Sequence, residues 1–176
     1  MDIAHWGMGV EQGGPLEVEG RAFFPNRGQP DCFDNPDRFV VRMKYPGDVD
    51  LLYLVTRDAK YLQSMAAGDI TEAEDLELFA GVPEEWKKEQ RNGIMFIGDQ
   101  GRVFVNRGGA FGKAVEELKE HPFPADAVRL YESRSQMGNF FECVRSRKPP
   151  VSPVEIGHRV ISACHLGNIA LRLKRK

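Results

Sequence analysis

Between residues 16 and 24, Leu16 and Val18 alternate with Glu17 and Glu19, the two-residue period of a half-buried strand. Pro15 sits at the edge, where no ladder donor is needed. Pro25 to Pro36 then forms a long irregular stretch, the kind of segment that more often carries binding groups than the framework beneath it. Arg38 to Tyr45 and Val49 to Thr56 are strand-like runs separated by Pro46-Gly47-Asp48, a hairpin signal. Because Phe39, Val41 and Met43 alternate with Val40, Arg42 and Lys44, one sheet face is predicted dry and the other mixed. Ile94 to Ile97 and Arg102 to Asn106 flank Gly98-Asp99-Gln100-Gly101, giving a second hairpin. The acidic stretch 57–88 reads as a surface excursion with helix-like pieces at 58–67 and 71–79 and one proline-started turn at 83–86.

The period changes toward the end. Ser135 to Arg147 places Met137, Phe140, Phe141 and Val144 on adjoining helical positions, and Pro149-Pro150 closes the run. Ser152-Pro153-Val154-Glu155 supplies a capping hydroxyl, a first-turn proline and a carboxylate, so a helix is predicted to begin there. Its buried stripe is Ile156, Val160, Ala163, Gly167 and Ala170, widened by Cys164, Leu166 and Leu171. At the other end Ile3 and Trp6 share a helical face, and Gly7 and Gly9 end that helix. Hairpins followed by helices predict the α+β class: a mostly antiparallel open sheet with helices packed on one face, in a single domain. In that arrangement Val40 faces outward beside Arg42 and Lys44, where pairing with the sheet of another copy would cover it.

Composition narrows the function classes. Twenty-four Lys and Arg against 26 Asp and Glu give no bulk field for a phosphate backbone or an anionic membrane, so neither nucleic acid nor membrane is an expected partner. Cys32, Cys143 and Cys164 are widely spaced and odd in number, which favours a reducing, cytoplasmic setting over a disulfide framework. The first residues, with Asp2 and His5, do not read as a secretory signal. Neither a Gly-x-Ser-x-Gly elbow nor a His-Glu-x-x-His helix is present, which disfavours a hydrolase. A non-catalytic binding or dimerisation module is the alternative class.

Three stretches occur in a telling order: Met1-Asp-Ile-Ala-His-Trp-Gly-Met-Gly9; Gly98 to Gly108, ending Gly-Arg-Val-Phe-Val-Asn-Arg-Gly; and Gly138-Asn-Phe-Phe-Glu-Cys-Val-Arg-Ser-Arg-Lys-Pro-Pro150, continuing through Gly157-His-Arg and Cys164-His-Leu-Gly-Asn-Ile-Ala170. Together, over nearly the whole chain, they resemble the carboxyl-terminal domain of the glucose-fructose oxidoreductase, inositol dehydrogenase and MocA-like family. That resemblance implies a parent NAD- or NADP-dependent oxidoreductase acting on a sugar, polyol or related hydroxy compound. It also implies a homodimer or tetramer formed through the sheet face. The family's amino-terminal Rossmann domain is expected to be missing, because the sequence has no Gly-x-Gly-x-x-Gly between a strand and a helix and no Glu-Lys-Pro. Aligned on the helical continuation of the family's Asp-x-x-x-His signature, Asp2 takes the place of its final aspartate, and the catalytic histidine would precede residue 1. No catalytic residue, bound cofactor or metal is therefore expected of this chain.

Asp2 is a substrate-edge candidate on that alignment. His5 and Trp6 stand one turn along, where an imidazole that both donates and accepts would suit a polyol. Asn26 and Arg27, in the long loop, offer donors for hydroxyl or carboxylate oxygens. His158 and His165 are nearly two helical turns apart, about 10 Å by the rise per residue and too far for one ion. Ile161, His165 and Ile169, opposite the buried stripe, are expected to form an interdomain face toward the nucleotide-binding domain.

Overall fold

The computed structural model describes residues 1–10, 13–30, 32–55, 93–121, 123–127, 129 and 131–176. The helix-like pieces predicted at 58–67, 71–79 and 83–86 lie outside the described residues. The chain divides into two compact units, Met1–Glu11 with Asn92–Val160 and Gln12–Arg91 with Ile161–Lys176.

In the second unit β1 (Glu17–Phe23), β2 (Arg38–Tyr45) and β3 (Val49–Val55) form an antiparallel sheet in that order. The hairpin predicted around Pro46-Gly47-Asp48 forms, closed by the Tyr45–Val49 pair. Gly47 at φ 80° and Asp48 at φ 59° take the left-handed conformation, which glycine adopts freely and aspartate tolerates better than most residues. Val41, Met43 and Tyr45 alternate along β2 and are all buried, and Leu51 pairs with Met43 on the same face. That face meets the last helix, α4 (Val154–Leu173), which buries Ala163, Gly167, Ala170 and Leu171.

Two glycines explain how closely helix and sheet approach. A Cβ on Gly167 would lie 3.2 Å from Met43 Cε and 3.3 Å from Val41 Cγ1. One on Gly20, which pairs with Val41, would lie 2.6 Å from the Val40 carbonyl oxygen and 2.8 Å from Leu171 Cδ2. Of the predicted stripe, Ala163, Gly167, Ala170 and Leu171 are buried, Ile156, Val160 and Cys164 are half-buried, and Leu166 is exposed. That residue is exposed because it stands about 100° round the helix from Gly167.

The other face of this sheet carries Glu19 and Arg42 in one row, Arg21, Val40 and Leu54 in the next, and Glu17, Lys44 and Asp50 beyond. Arg42 forks onto the Asp50 carboxylate, and Lys44 stands 3.9 Å from Glu17. Val40, expected to face outward, has only 1% of its surface exposed within the single chain. Its register between Arg21 and Leu54 places a long side chain and an apolar one on either side of it.

In the first unit β4 (Ile94–Gly98), β5 (Gly101–Asn106) and β6 (Gly109–Phe111) form a second antiparallel sheet. The β4–β5 hairpin is the predicted one. Neither β6 nor the helix that follows it, α2 (Lys113–Glu120), stands out in the sequence pattern. The first helix, α1 (Asp2–Met8), ends where Gly9 turns left-handed and its N–H bonds back into the last turn, as the glycine spacing predicts. It packs on β4 through Gly7, where an added Cβ would fall 2.2 Å from the Phe96 ring.

The helix α3 (Gln136–Ser146) is capped by Ser135 Oγ, which accepts from the Gly138 N–H at 3.0 Å. Asn139, buried on its inner side, donates to the Tyr131 hydroxyl at 2.6 Å and accepts from the Val151 N–H at 3.0 Å, fixing the segments before and after the helix. Its apolar side, Met137, Phe140, Phe141 and Val144, remains exposed.

The α+β class is the one expected, and every strand pair among the described residues is antiparallel. Alternation predicts strands without saying which of them pair, and among the described residues they divide between two three-stranded sheets.

Candidate functional site

On α1, Asp2 lies in the first turn with its side chain exposed. A carboxylate there is favoured by the helix dipole whatever else it does. His5, one turn along, is completely buried at 0% exposure, so no part of its imidazole is open to a ligand arriving from solvent. Trp6 is 42% exposed beside Ile3 at 48%, the helical face predicted for the pair. The three α1 candidates therefore separate: Asp2 and Trp6 reach solvent, and His5 packs inside.

The loop after β1 places Asn26 and Arg27 in the second unit. Backbone bonds from Gln29 N–H to Asn26 oxygen at 3.0 Å and from Arg27 N–H to Phe24 oxygen at 3.5 Å turn the chain. Asn26 Nδ2 donates to the Phe33 carbonyl at 3.4 Å. The Arg27 guanidinium lies 5.2 Å from the centre of the Phe24 ring and donates to the Arg172 carbonyl at 3.3 Å, a bond that satisfies one of the last carbonyls of α4. Both candidates are thus partly engaged in shaping their own loop, and each retains donors: the second N–H of the Asn26 amide and most of the Arg27 fork.

Around them stand two residues that no local pattern marks. Arg172 donates from Nη1 to Asp34 Oδ2 at 3.0 Å and from Nη2 to the Asp34 carbonyl at 2.8 Å. Its Cζ sits 5.6 Å from the Phe24 ring centre. In the sequence Arg172 belongs to a basic helix end suited to the dipole, and its partner is 138 residues away. A second ionic tie, Lys176 with Glu17, holds the end of the chain to β1; that hydrogen bond lowers the Glu17 carboxyl below its usual range and raises Lys176 above its own.

On α4, Ile161 is 48% and Ile169 51% exposed, with His165 exposed between them. They lie opposite the buried Ala163, Gly167 and Ala170, on the side predicted. His158 is exposed as well. Inside, burial pushes the Tyr45 hydroxyl up to about 12, with the Cys164 thiol adding to the rise. Among the described residues no helix is long and apolar enough to cross a membrane.

No family model, curated protein or solved structure matches this chain.

Proposed function

We propose that this chain is the carboxyl-terminal, substrate-facing and oligomer-forming part of an NAD- or NADP-dependent oxidoreductase of the glucose-fructose oxidoreductase, inositol dehydrogenase and MocA-like kind. The observation that carries the reading is the outer face of α4. A helix whose opposite side already packs on a sheet has no solvent-side need for Ile161 and Ile169, which together with His165 form an apolar strip suited to a second domain. In this reading the strip receives the nucleotide-binding domain. Asn26 and Arg27 supply donors to hydroxyl oxygens of a sugar or polyol, and Asp2 accepts from one. The charged sheet face bearing Arg42, Lys44 and Asp50 meets its like in a dimer or tetramer. A cytoplasmic, reducing setting suits the three free thiols.

The hydride chemistry belongs to the nicotinamide cofactor and the parent's other domain; this chain's part is to orient the substrate and exclude water. Two measurements test the reading. Calorimetric titration with NAD(H) and NADP(H) is expected to give no binding by this chain alone, and a micromolar Kd would overturn the division of labour. The coding sequence directly upstream is expected to hold a Gly-x-Gly-x-x-Gly fingerprint and an Asp-x-x-x-His ending at the junction. An upstream reading frame without either would remove the parent activity.

A further inference from the structure

We infer that Arg172 is a positioning residue that latches the loop after β1 onto the last turn of α4, so that the placement of Asn26 and Arg27 is set by the helix and not by the loop alone. One guanidinium holds Asp34 by both its side chain, at 3.0 Å, and its backbone carbonyl, at 2.8 Å. The backbone carbonyl of the same residue accepts from Arg27 at 3.3 Å, near the start of the loop. Arg172 therefore grips the loop close to both ends. Asn168, one turn earlier on α4, accepts from Arg172 Nε at 3.3 Å and fixes the plane of the fork. The Phe24 ring, approached by Arg172 and Arg27 at 5.6 and 5.2 Å, fixes its position from the side.

Asp34 has a reason to need this partner. Its Oδ1 is buried without a hydrogen bond, so the carboxylate relies on Oδ2 and the guanidinium for compensation. An exposed ion pair made by one flexible side chain is worth little, but a planar fork held by Asp34, Asn168 and Phe24 has surrendered its freedom already. Lysine, a point charge, cannot engage the Asp34 carboxylate and carbonyl in the same plane.

The functional meaning rests on the reading that Asn26 and Arg27 face substrate, while the latch itself is measured without any sugar. Amide hydrogen exchange of the intact chain is compared for the wild type, Arg172→Gln, Arg172→Lys, Asp34→Asn and the double variant carrying Arg172→Gln with Asp34→Asn. Each single variant is expected to speed exchange of loop amides such as Arg27, Gln29 and Asp37 by about five- to tenfold while the β2 amides of Val41 and Met43 are unchanged. The double variant is expected to add little to Asp34→Asn, because both changes break one contact. Loop exchange at the wild-type rate in both Arg172→Gln and Asp34→Asn would overturn the latch. So would a loop that accelerates only in step with β2, or fully additive effects of the two changes. If the latch holds and Arg27→Ala leaves sugar turnover of the parent enzyme untouched, the substrate reading fails on its own.

Discussion

The two units of this chain are built on different balances. The second buries Val41, Met43, Tyr45 and Leu51 on two strands against Ala163, Ala170 and Leu171 on one helix, with Val40 buried on the other face of a sheet whose central strand is paired on both sides. The first buries only Ala4 and Phe104 among its described apolar residues, and the other interior places are taken by His5 and Asn139. It leaves Met137, Phe140, Phe141 and Val144 in water. Apolar burial is the main favourable term in folding, so the second unit is expected to hold itself together, while the first depends on a few contacts and on polar pins. The distinction matters for function because the latched loop sits in the well-cored unit, whereas Asp2 and Trp6 sit in the thin one.

The comparison breaks most easily at the two cores. Phe104→Ala removes the largest buried apolar side chain of the first unit, at a cost of about 3 to 5 kcal/mol, and Met43→Ala costs the second about 2 to 5 kcal/mol. Similar losses should have unequal consequences. Followed by amide exchange, Phe104→Ala is expected to strip protection from β4 and β5 altogether, while Met43→Ala lowers the urea midpoint of a β1–β2–β3 sheet that still protects its amides. Equal outcomes in the two would show that the first unit is better cored than its buried side chains indicate.

Gly7→Ala sharpens the same point with a smaller change. The new methyl would meet the Phe96 ring at 2.2 Å, so the ring or the helix must shift, at an overpacking cost of about 1 to 3 kcal/mol offset in part by better helix propensity. Thermal unfolding monitored through Trp6 fluorescence, in a chain whose other tryptophan is replaced by Trp86→Phe, should show α1 loosening first. An unchanged transition would mean that Phe96 swings aside freely.

What the sequence disclosed and what it withheld follow a physical line. The β2–β3 hairpin and the β4–β5 hairpin fall within a residue of their predicted bounds, because apolar runs bounded by short glycine-containing turns are local signals. Helix α3 begins at the predicted serine for the same reason. Helix α4 starts at Val154, its first bonds accepted by the Pro153 carbonyl, one residue inside the predicted cap. The three residues of β6 and the eight of α2 are too short to set up a period against their surroundings. Long-range facts were invisible: that β1 pairs with β2, that Val40 is covered on its charged face, and that Arg172 reaches Asp34. For the candidate site, spacing marked α4's outer strip and loop composition marked Asn26 and Arg27, but nothing local told that His5 turns inward while Trp6 turns out.

A pH titration probes the strong core from within. Burial favours the neutral phenol of Tyr45, whose folded value is about 12 against an ordinary 10.0. Because the folded value is raised, the folded state holds this proton more tightly than the unfolded chain. The contribution is complete below pH 10 and is lost as pH climbs toward 12. Urea midpoints should therefore fall over that alkaline window, and Tyr45→Phe should flatten this part of the profile. At neutral pH the same substitution removes the hydroxyl's long contact to the Met43 sulfur, 3.9 Å away, a loss of about 0.5 to 1 kcal/mol for a bond of that kind. A profile of the Tyr45→Phe variant that falls as steeply as the wild type would place the alkaline weakness elsewhere.

The smallest effect is expected from the largest-looking change, the double substitution Ile161→Ser and Ile169→Ser. Both residues stand on the well-cored unit, yet each keeps about half its surface in water and lies across the helix from Gly167. Exchanging such side chains away from a core ordinarily shifts stability by no more than about 0.5 kcal/mol each, and serine's lower helix propensity accounts for much of that. The urea midpoint of this chain should scarcely move. In the parent enzyme the same pair would be covered by the nucleotide-binding domain, where each isoleucine is worth on the order of 1.5 to 3 kcal/mol if fully buried, so domain docking and turnover should suffer far more than folding. The contrast between the two measurements is what identifies the face. If this chain loses several kcal/mol while the folded fraction of the parent turns over normally, both isoleucines belong to the second unit's own core, and its outer helix face has no partner to explain it.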